Sequence, residues 1–183
     1  VYHDKGNLNF TFISPKSDYN QDNQFAIVLS AMQSLGFDAK KSGRNDILIN
    51  DKKFSGNAFY FSDKIGLHHG TVLIKSDYNL IAKYLSASKV KLKSKSVSSV
   101  ASRVINLSEI QPNITTKEVS DSIILATEQH FGIKAQRLEV KDIDKDLFDK
   151  WHKFCTDERR IYGDNVFYDA RIEHRFSWGT SDI

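Results

Sequence analysis

Cysteine is almost missing from this chain. Its 183 residues contain one, Cys155, so no disulfide can form within it. A single thiol fits a reducing, cytoplasmic setting. Long apolar runs are missing as well: none approaches the roughly 18 residues a membrane helix needs, and the opening residues do not read as a signal peptide. Charge of one sign is also scarce, the net value being only +3. Nucleic-acid binding wants basic residues gathered into a patch, so neither nucleic acid nor membrane is an expected partner. The nearest thing to a patch is Lys89, Lys91, Lys93 and Lys95, which share one face if extended and otherwise form a solvated loop.

What is present reads as one α+β domain. The length allows a real core, and 40% hydrophobic with 27% charged residues is an ordinary globular balance. Leu8, Phe10 and Phe12 alternate with Asn9, Thr11 and Ile13, which predicts a strand that Pro15 ends. Phe25, Val28, Leu29, Met32 and Leu35 recur at helical spacing from about Asn23, with Gly36 as the stop. A short strand is expected over Phe37 to Lys40, then strands over Phe54 to Phe61 and Leu67 to Lys75 around a Ser62-Asp63-Lys64 turn. Val72-Leu73-Ile74 suggests burial on both faces of the last of these. Asp77 to Leu85 reads as a short helix. Thr115-Thr116-Lys117-Glu118 has capping-box character before a helix carrying Val119, Ile123, Ala126 and His130, closed by Gly132. Further expectations are a strand from Ala135 to Val140 and an amphipathic helix from about Asp144 to Thr156. The stripe of that helix (Leu147, Phe148, Trp151, Phe154) would be core, with Cys155 as inert packing. A long strand is expected from Val166 to Trp178. No regular βαβ rhythm runs through these elements, which favours a mixed β-sheet flanked by helices.

Gly43 to Tyr60 is the stretch that bears chemistry. A polar turn leads into Ile47-Leu48-Ile49, and Asn50-Asp51 then looks like a tight reversal. Lys52-Lys53 follows, beside Phe54-Ser55-Gly56-Asn57-Ala58. A lysine next to small residues suits a place where a phosphate must come close: Gly removes the Cβ, Ser offers a hydroxyl and the ammonium is a mobile point charge. A hairpin with a solvated lysine at its tip has the same pattern. Asp46 could bind Mg²⁺, orient a ribose or an amine, or simply form the turn. His68 and His69 are adjacent on a strand, so they point to opposite faces and a metal chelate between them is not expected. Ser86 to Ser102 is rich in serine and lysine and poor in large apolar groups, the composition of a mobile lid or of a plain surface loop.

The string GRNDILINDKKFSGNA, with VYHDKGNLNFTF before it and HHGTVLI after it, resembles the lipoate-protein ligase A family. The likeness continues through Lys93-Ser94-Lys95, Ser98-Ser99-Val100 and Ser102 to Leu107, in the same order and over most of the chain. The resemblance implies the fold shared with biotin-protein ligases and class II aminoacyl-tRNA synthetases. It also implies ATP-dependent activation of lipoate to lipoyl-AMP, followed by transfer to a lysine of an acceptor protein. The acceptors would be lipoyl domains of 2-oxoacid dehydrogenase E2 subunits and the glycine-cleavage H protein. Lys53 would be the catalytic lysine. Val1, Tyr2, Asn7, Asp46, Ser55, Gly56, His69, Gly70 and Thr71 would join it around ATP and the adenylate, with Asp46 the candidate for Mg²⁺. Lys93, Lys95 and Arg103 would belong to a loop over the adenylate.

The chain starts at Val1, inside a motif, without the family's Arg-Arg-x-Ser-Gly-Gly-Gly loop. The expectation is therefore that residues 1–183 are part of a catalytic domain, with about 171–183 leading toward an accessory domain. Two alternatives stand beside the ligase. One is an octanoyl or lipoyl transferase of the same fold, which would need a cysteine nucleophile and no ATP. The other is a non-catalytic module that binds a lipoyl domain or a nucleotide.

Overall fold

The computed structural model describes residues 3–85, 103–163, 173–176 and 179–182. The chain divides into two compact units, Val1–Ile133 and Lys134–Ile183. The first holds a five-stranded sheet in the order β1-β5-β4-β3-β2, built from β1 (Asn7–Pro15), β2 (Lys40–Ser42), β3 (Asp46–Ile49), β4 (Lys52–Phe61) and β5 (Ile65–Leu73). Among the described residues every strand pairing is antiparallel, and the mixed character is confined to one parallel bridge between Lys53 and Val104.

Turn chemistry sets the register. Asn50 and Asp51 both take positive φ (51° and 60°), the geometry whose twist matches two flanking strands, and Asn and Asp tolerate it well. At the next turn the Ser62 hydroxyl accepts the backbone N–H groups of Lys64 (3.2 Å) and Ile65 (3.1 Å). The edge strand expected over Phe37 to Lys40 lies later, at Lys40–Ser42, because Phe37 is drawn into the core. Val72 and Ile74 are buried while Leu73 is half-buried, so this run alternates rather than being covered equally on both sides.

Helices cover one face of the sheet. α1 (Gln21–Ser34) starts two residues before its apolar spacing suggests, because the Asn20 side chain accepts the Asn23 N–H at 3.0 Å. α3 (Thr116–Phe131) begins at the expected capping box, in which Thr115 and Glu118 bond reciprocally, and Gly132 (φ 65°) ends it. The shorter α2 (Tyr78–Leu85) follows β5. Phe25, Ile27, Val28, Ala31 and Met32 of α1 meet Val119, Ile123 and Ala126 of α3 and the inner sheet residues Ile47, Ile49, Phe54 and Val72 in one core. Ser122 ties the two helices, donating to the Ala31 carbonyl at 2.9 Å. His130, at the end of the α3 pattern, is exposed. Asn20→Ala should cost about 1 kcal/mol by stripping the α1 cap, read as a shift of the urea midpoint at unchanged slope.

Polar ties join the segments that flank the sheet. The Asp4 carboxylate accepts from the Gly6 N–H, the Ser76 hydroxyl and the Asp77 N–H, each at 2.9 Å. The Asn106 side chain holds both backbone groups of Ser76, at 2.8 and 3.0 Å. Tyr78 donates its hydroxyl proton to Glu109, and burial followed by this bond raises its pKa.

The second unit departs from expectation in two places. Ala135 to Val140 is not a strand. The chain there is irregular and closes into a 3-10 turn over Val140–Asp142, in which the Asp142 carboxylate accepts the Glu139 N–H at 2.8 Å. Such local bonds compete directly with a ladder. α4 (Lys145–Thr156) forms as expected behind its Asp144 cap, but its apolar stripe is not core: Leu147 and Trp151 are 49% and 51% exposed, and Cys155 is exposed too. Periodicity sets which residues share a face, and cannot supply a surface to cover it. α5 (Glu158–Tyr162) follows. Of the long strand expected from Val166, residues 166–172 and 177–178 lie outside the described residues. The described part, β6 (Glu173–Phe176), pairs antiparallel with β7 (Gly179–Asp182). Among the described residues no helix is long and apolar enough to cross a membrane.

Candidate active site

A β-bulge builds the site. Along β4 the register runs Ile47 with Ser55 and then Leu48 with Lys53, leaving Phe54 as the extra residue. Regular alternation would put residues 53 and 56 on opposite faces. The bulge resets the phase, turning Phe54 and Ser55 into the core and bringing Lys53 and Gly56 to the same outer face. A Cβ on Gly56 would lie 3.0 Å from both Cε and Nζ of Lys53, so the side chain of Lys53 lies across a floor of bare backbone. Its ammonium meets Asp46 Oδ1 at 2.7 Å, and the two side chains are 40% and 42% exposed. The Lys53 main chain is fixed from the other side: its N–H donates to the Arg103 carbonyl (2.9 Å) and its carbonyl accepts the Ile105 N–H (3.0 Å).

From that point a polar row crosses four strands. Asp46 pairs with Gly56, the Thr71 hydroxyl reaches the Gly56 N–H and carbonyl at 3.4 Å, and Asn9 pairs with Thr71. The neighbouring row holds Thr11 and His69, joined through Thr11 Oγ1 and His69 Nδ1 at 2.9 Å. Asn7 contacts His3 at 2.8 Å and Asn9 at 3.3 Å through its amide nitrogen, while its buried Oδ1 has no hydrogen-bond partner among the described residues.

Lys53, Asp46, Gly56, Thr71, His69 and Asn7 are thus on one face. Two candidates are not. Ser55 is buried, and its hydroxyl accepts from Asn57 Nδ2 at 3.3 Å instead of facing the lysine. Gly70 also faces inward: a Cβ there would lie 2.2 Å from the Phe10 ring and 2.6 Å from Asn57 Oδ1, so the space it leaves is filled by the core. Arg103 contributes its carbonyl, and its side chain is exposed. Val1, Tyr2, Lys93, Lys95 and the whole Ser86 to Ser102 stretch expected as a loop lie outside the described residues. His68 and His69 do face opposite sides of the sheet: His68 is fully buried among rings, and burial, then the neighbouring His69, lowers its pKa to about 4.

A protein-built Mg²⁺ centre does not fit here. Asp46 already shares an oxygen with an ammonium, and no group of three or more His, Cys, Asp or Glu side chains converges among the described residues. Mg²⁺ bound mainly by a triphosphate needs few protein ligands. Sequence reading also missed Asn57, Asn45 and Thr11. Their signal lies in register and bulge, which spacing alone does not carry.

Residues 1–148 match the lipoyl protein ligase A/B catalytic domain family. The chain belongs to that family. It is 37% identical, over its full length, to a lipoate-protein ligase A of Psychrobacter cryohalolentis, of which it covers 56%. Among solved structures, P. falciparum LipL1 in complex with lipoate superposes with a TM-score of 0.72 at 31% identity, over all of this chain and 54% of that one. A bipartite lipoate protein ligase from Thermoplasma acidophilum, solved with its E2 lipoyl domain, gives 0.76 at 22% identity over 93% and 69% of the two chains. The fold is α+β and is shared with biotin protein ligase of Aquifex aeolicus. The ligase-family chain described here spans about half the length of the first two relatives.

Within this family member, a methyl at Gly56 would press on the far end of the Lys53 side chain, which must yield by a few tenths of an ångström. Gly56→Ala should keep the strand while displacing the Lys53 amine by that much. A changed labelling rate of that amine by an amine-acylating reagent, alongside an unchanged circular dichroism spectrum, checks this.

Proposed function

We propose that this chain is part of a lipoate-protein ligase that joins lipoate to AMP and passes the lipoyl group to a protein lysine. The observation that carries the reading is the Lys53 ammonium, half-exposed on the Gly56 floor beside Asp46 and Thr71. In the first step a lipoate carboxylate oxygen attacks the α-phosphorus of ATP and pyrophosphate leaves. Two anions must approach, and negative charge grows on the phosphoryl oxygens. An ammonium already in place beside both lowers that barrier without reorganising. In the second step an acceptor lysine nitrogen attacks the acyl carbon, the electron pair of the C–O bond leaves with AMP, and the amine gives up a proton. Lys53 polarises the carbonyl in that step.

The remaining residues orient. Thr71 offers its hydroxyl beside Gly56, and Asn7 Oδ1 is an acceptor left over for a ligand hydroxyl. Asp46 aims the ammonium through their ion pair, and in this reading Mg²⁺ arrives with the triphosphate. An arginine at position 53 would retain charge but replace a point with a fork. The expected acceptors are lipoyl domains of 2-oxoacid dehydrogenase E2 subunits and the glycine-cleavage H protein, in a cytoplasmic setting.

The test combines full-length protein, ATP, lipoate and an apo lipoyl domain, followed by intact-mass spectrometry. Lipoyl transfer that requires ATP and releases pyrophosphate supports the ligase. Transfer without ATP, with a thioester on Cys155, would overturn it in favour of a transferase.

A further inference from the structure

A buried polar relay lies behind the site, and the adenylation scheme leaves it unused. His68 is enclosed by Phe10 and Phe12 of β1, Phe25 of α1 and Phe59 of β4, with ring centroids between 4.7 and 5.8 Å away. Its one polar partner among the described residues is Asn57, whose Oδ1 lies 2.8 Å from His68 Nε2.

The orientation of that amide is not free. Asn57 Nδ2 lies 3.0 Å from the Asn45 carbonyl oxygen, which can only accept. The nitrogen must therefore face Asn45 and the oxygen must face His68. His68 Nε2 then carries the proton and donates, leaving Nδ1 as a bare, buried lone pair. The Asn57 backbone N–H donates to the same Asn45 carbonyl at 2.8 Å, so that oxygen is gripped twice. The next residue is Asp46, which holds the Lys53 ammonium at 2.7 Å. Extra support is needed at this point. Asp46 starts β3 directly after a turn, and the bulge interrupts the β3–β4 ladder beside it.

We infer that His68 and Asn57 are positioning residues for Lys53, holding the Asn45 carbonyl and through it the Asp46 carboxylate where they aim the ammonium across Gly56. The consequence for catalysis rests on the ligase reading, whereas the geometric link does not. A residue that merely fills the core would be replaced well by any side chain of similar bulk. A positioning donor is replaced well only by another donor.

Two variants of the full-length protein separate these cases. His68→Gln sets an amide N–H near the place of Nε2, and His68→Leu keeps bulk without a donor. One readout is the labelling rate of the Lys53 amine by an amine-acylating reagent, measured by peptide mass spectrometry with the exposed Lys117 as internal reference. The other is kcat and KM for lipoate-dependent pyrophosphate release. In His68→Leu, Lys53 should label several-fold faster and kcat should fall roughly tenfold to a hundredfold with little change in KM, while His68→Gln stays near wild type in both. Should His68→Leu not fold, Asn57→Asp takes its place, since it keeps the oxygen toward His68 and turns a second oxygen onto the Asn45 carbonyl. Equal labelling and equal kcat in the donor-free variant overturn the inference. A wild-type protein that releases no pyrophosphate overturns the ligase reading instead, and labelling still decides the relay.

Discussion

Lys53→Ala should lose adenylate formation almost entirely, by about 10²–10³-fold in kcat, the size of effect seen when one preorganised electrostatic donor is removed. The fold should hardly notice. The Lys53–Asp46 pair is roughly 40% exposed at both ends, and exposed pairs of this kind are worth only about 0–1 kcal/mol. The backbone bonds of residue 53 to Arg103 and Ile105 do not depend on its side chain. Pyrophosphate release with ATP and lipoate is the measurement, with thermal unfolding as control. A variant that releases pyrophosphate at the wild-type rate would remove Lys53 from the mechanism. Lys53→Arg should be nearly as poor as alanine, because a planar fork keeps the charge but not its place as a point beside the reacting groups.

Acidification should weaken the fold through His68. The folded state holds this ring neutral, its pKa lowered from 6.5 to about 4 by burial first and by His69 second. The unfolded chain takes up a proton near pH 6.5, and the folded chain refuses it until about pH 4. Stability from this residue is therefore complete above about pH 6.5, declines through the window and levels off below about 4. The loss is about 2 kcal/mol at pH 5 and at most about 3 kcal/mol in all. Around the ring, β1, α1 and β4 present Phe10, Phe12, Phe25, Phe59 and Asn57, while Lys41 lies 4.4 Å over the Phe25 ring and pairs with Asp22. Urea unfolding at pH 7.5 and pH 5 reads the difference. In His68→Gln the difference between the two pH values should shrink to near zero. A wild-type protein equally stable at both would show that the ring is protonated in the fold. The Glu118 carboxyl, lowered by its bonds to Thr115, adds stability that is present above the usual carboxylate range and is lost as pH falls through it, below the two pH values compared.

Local rules were written plainly in the chain. Asn50-Asp51 announces its reversal because two short polar side chains accept positive φ. Thr115 and Glu118 announce a helix start, and Leu8, Phe10 and Phe12 announce a one-sided strand. The failures all concern what lies across from a segment. Ala135 to Val140 has a strand-like composition, yet Glu139 and Asp142 bond to each other first. The Leu147 to Phe154 stripe forms its helix without being buried.

At the candidate site the division is sharper. Residue identity along Lys53, Gly56, Asp46 and Thr71, and the likeness of GRNDILINDKKFSGNA to a ligase family, could be read from the sequence alone, since charge, hydroxyl and missing Cβ are properties of single residues. Which way each one faces was decided by tertiary structure. One extra residue at Phe54 shifts the phase of β4, turns Ser55 inward and Lys53 outward, and the packing of Phe10 claims the space at Gly70. Facing depends on the register between strands far apart in the chain, and register is fixed only when the whole core closes.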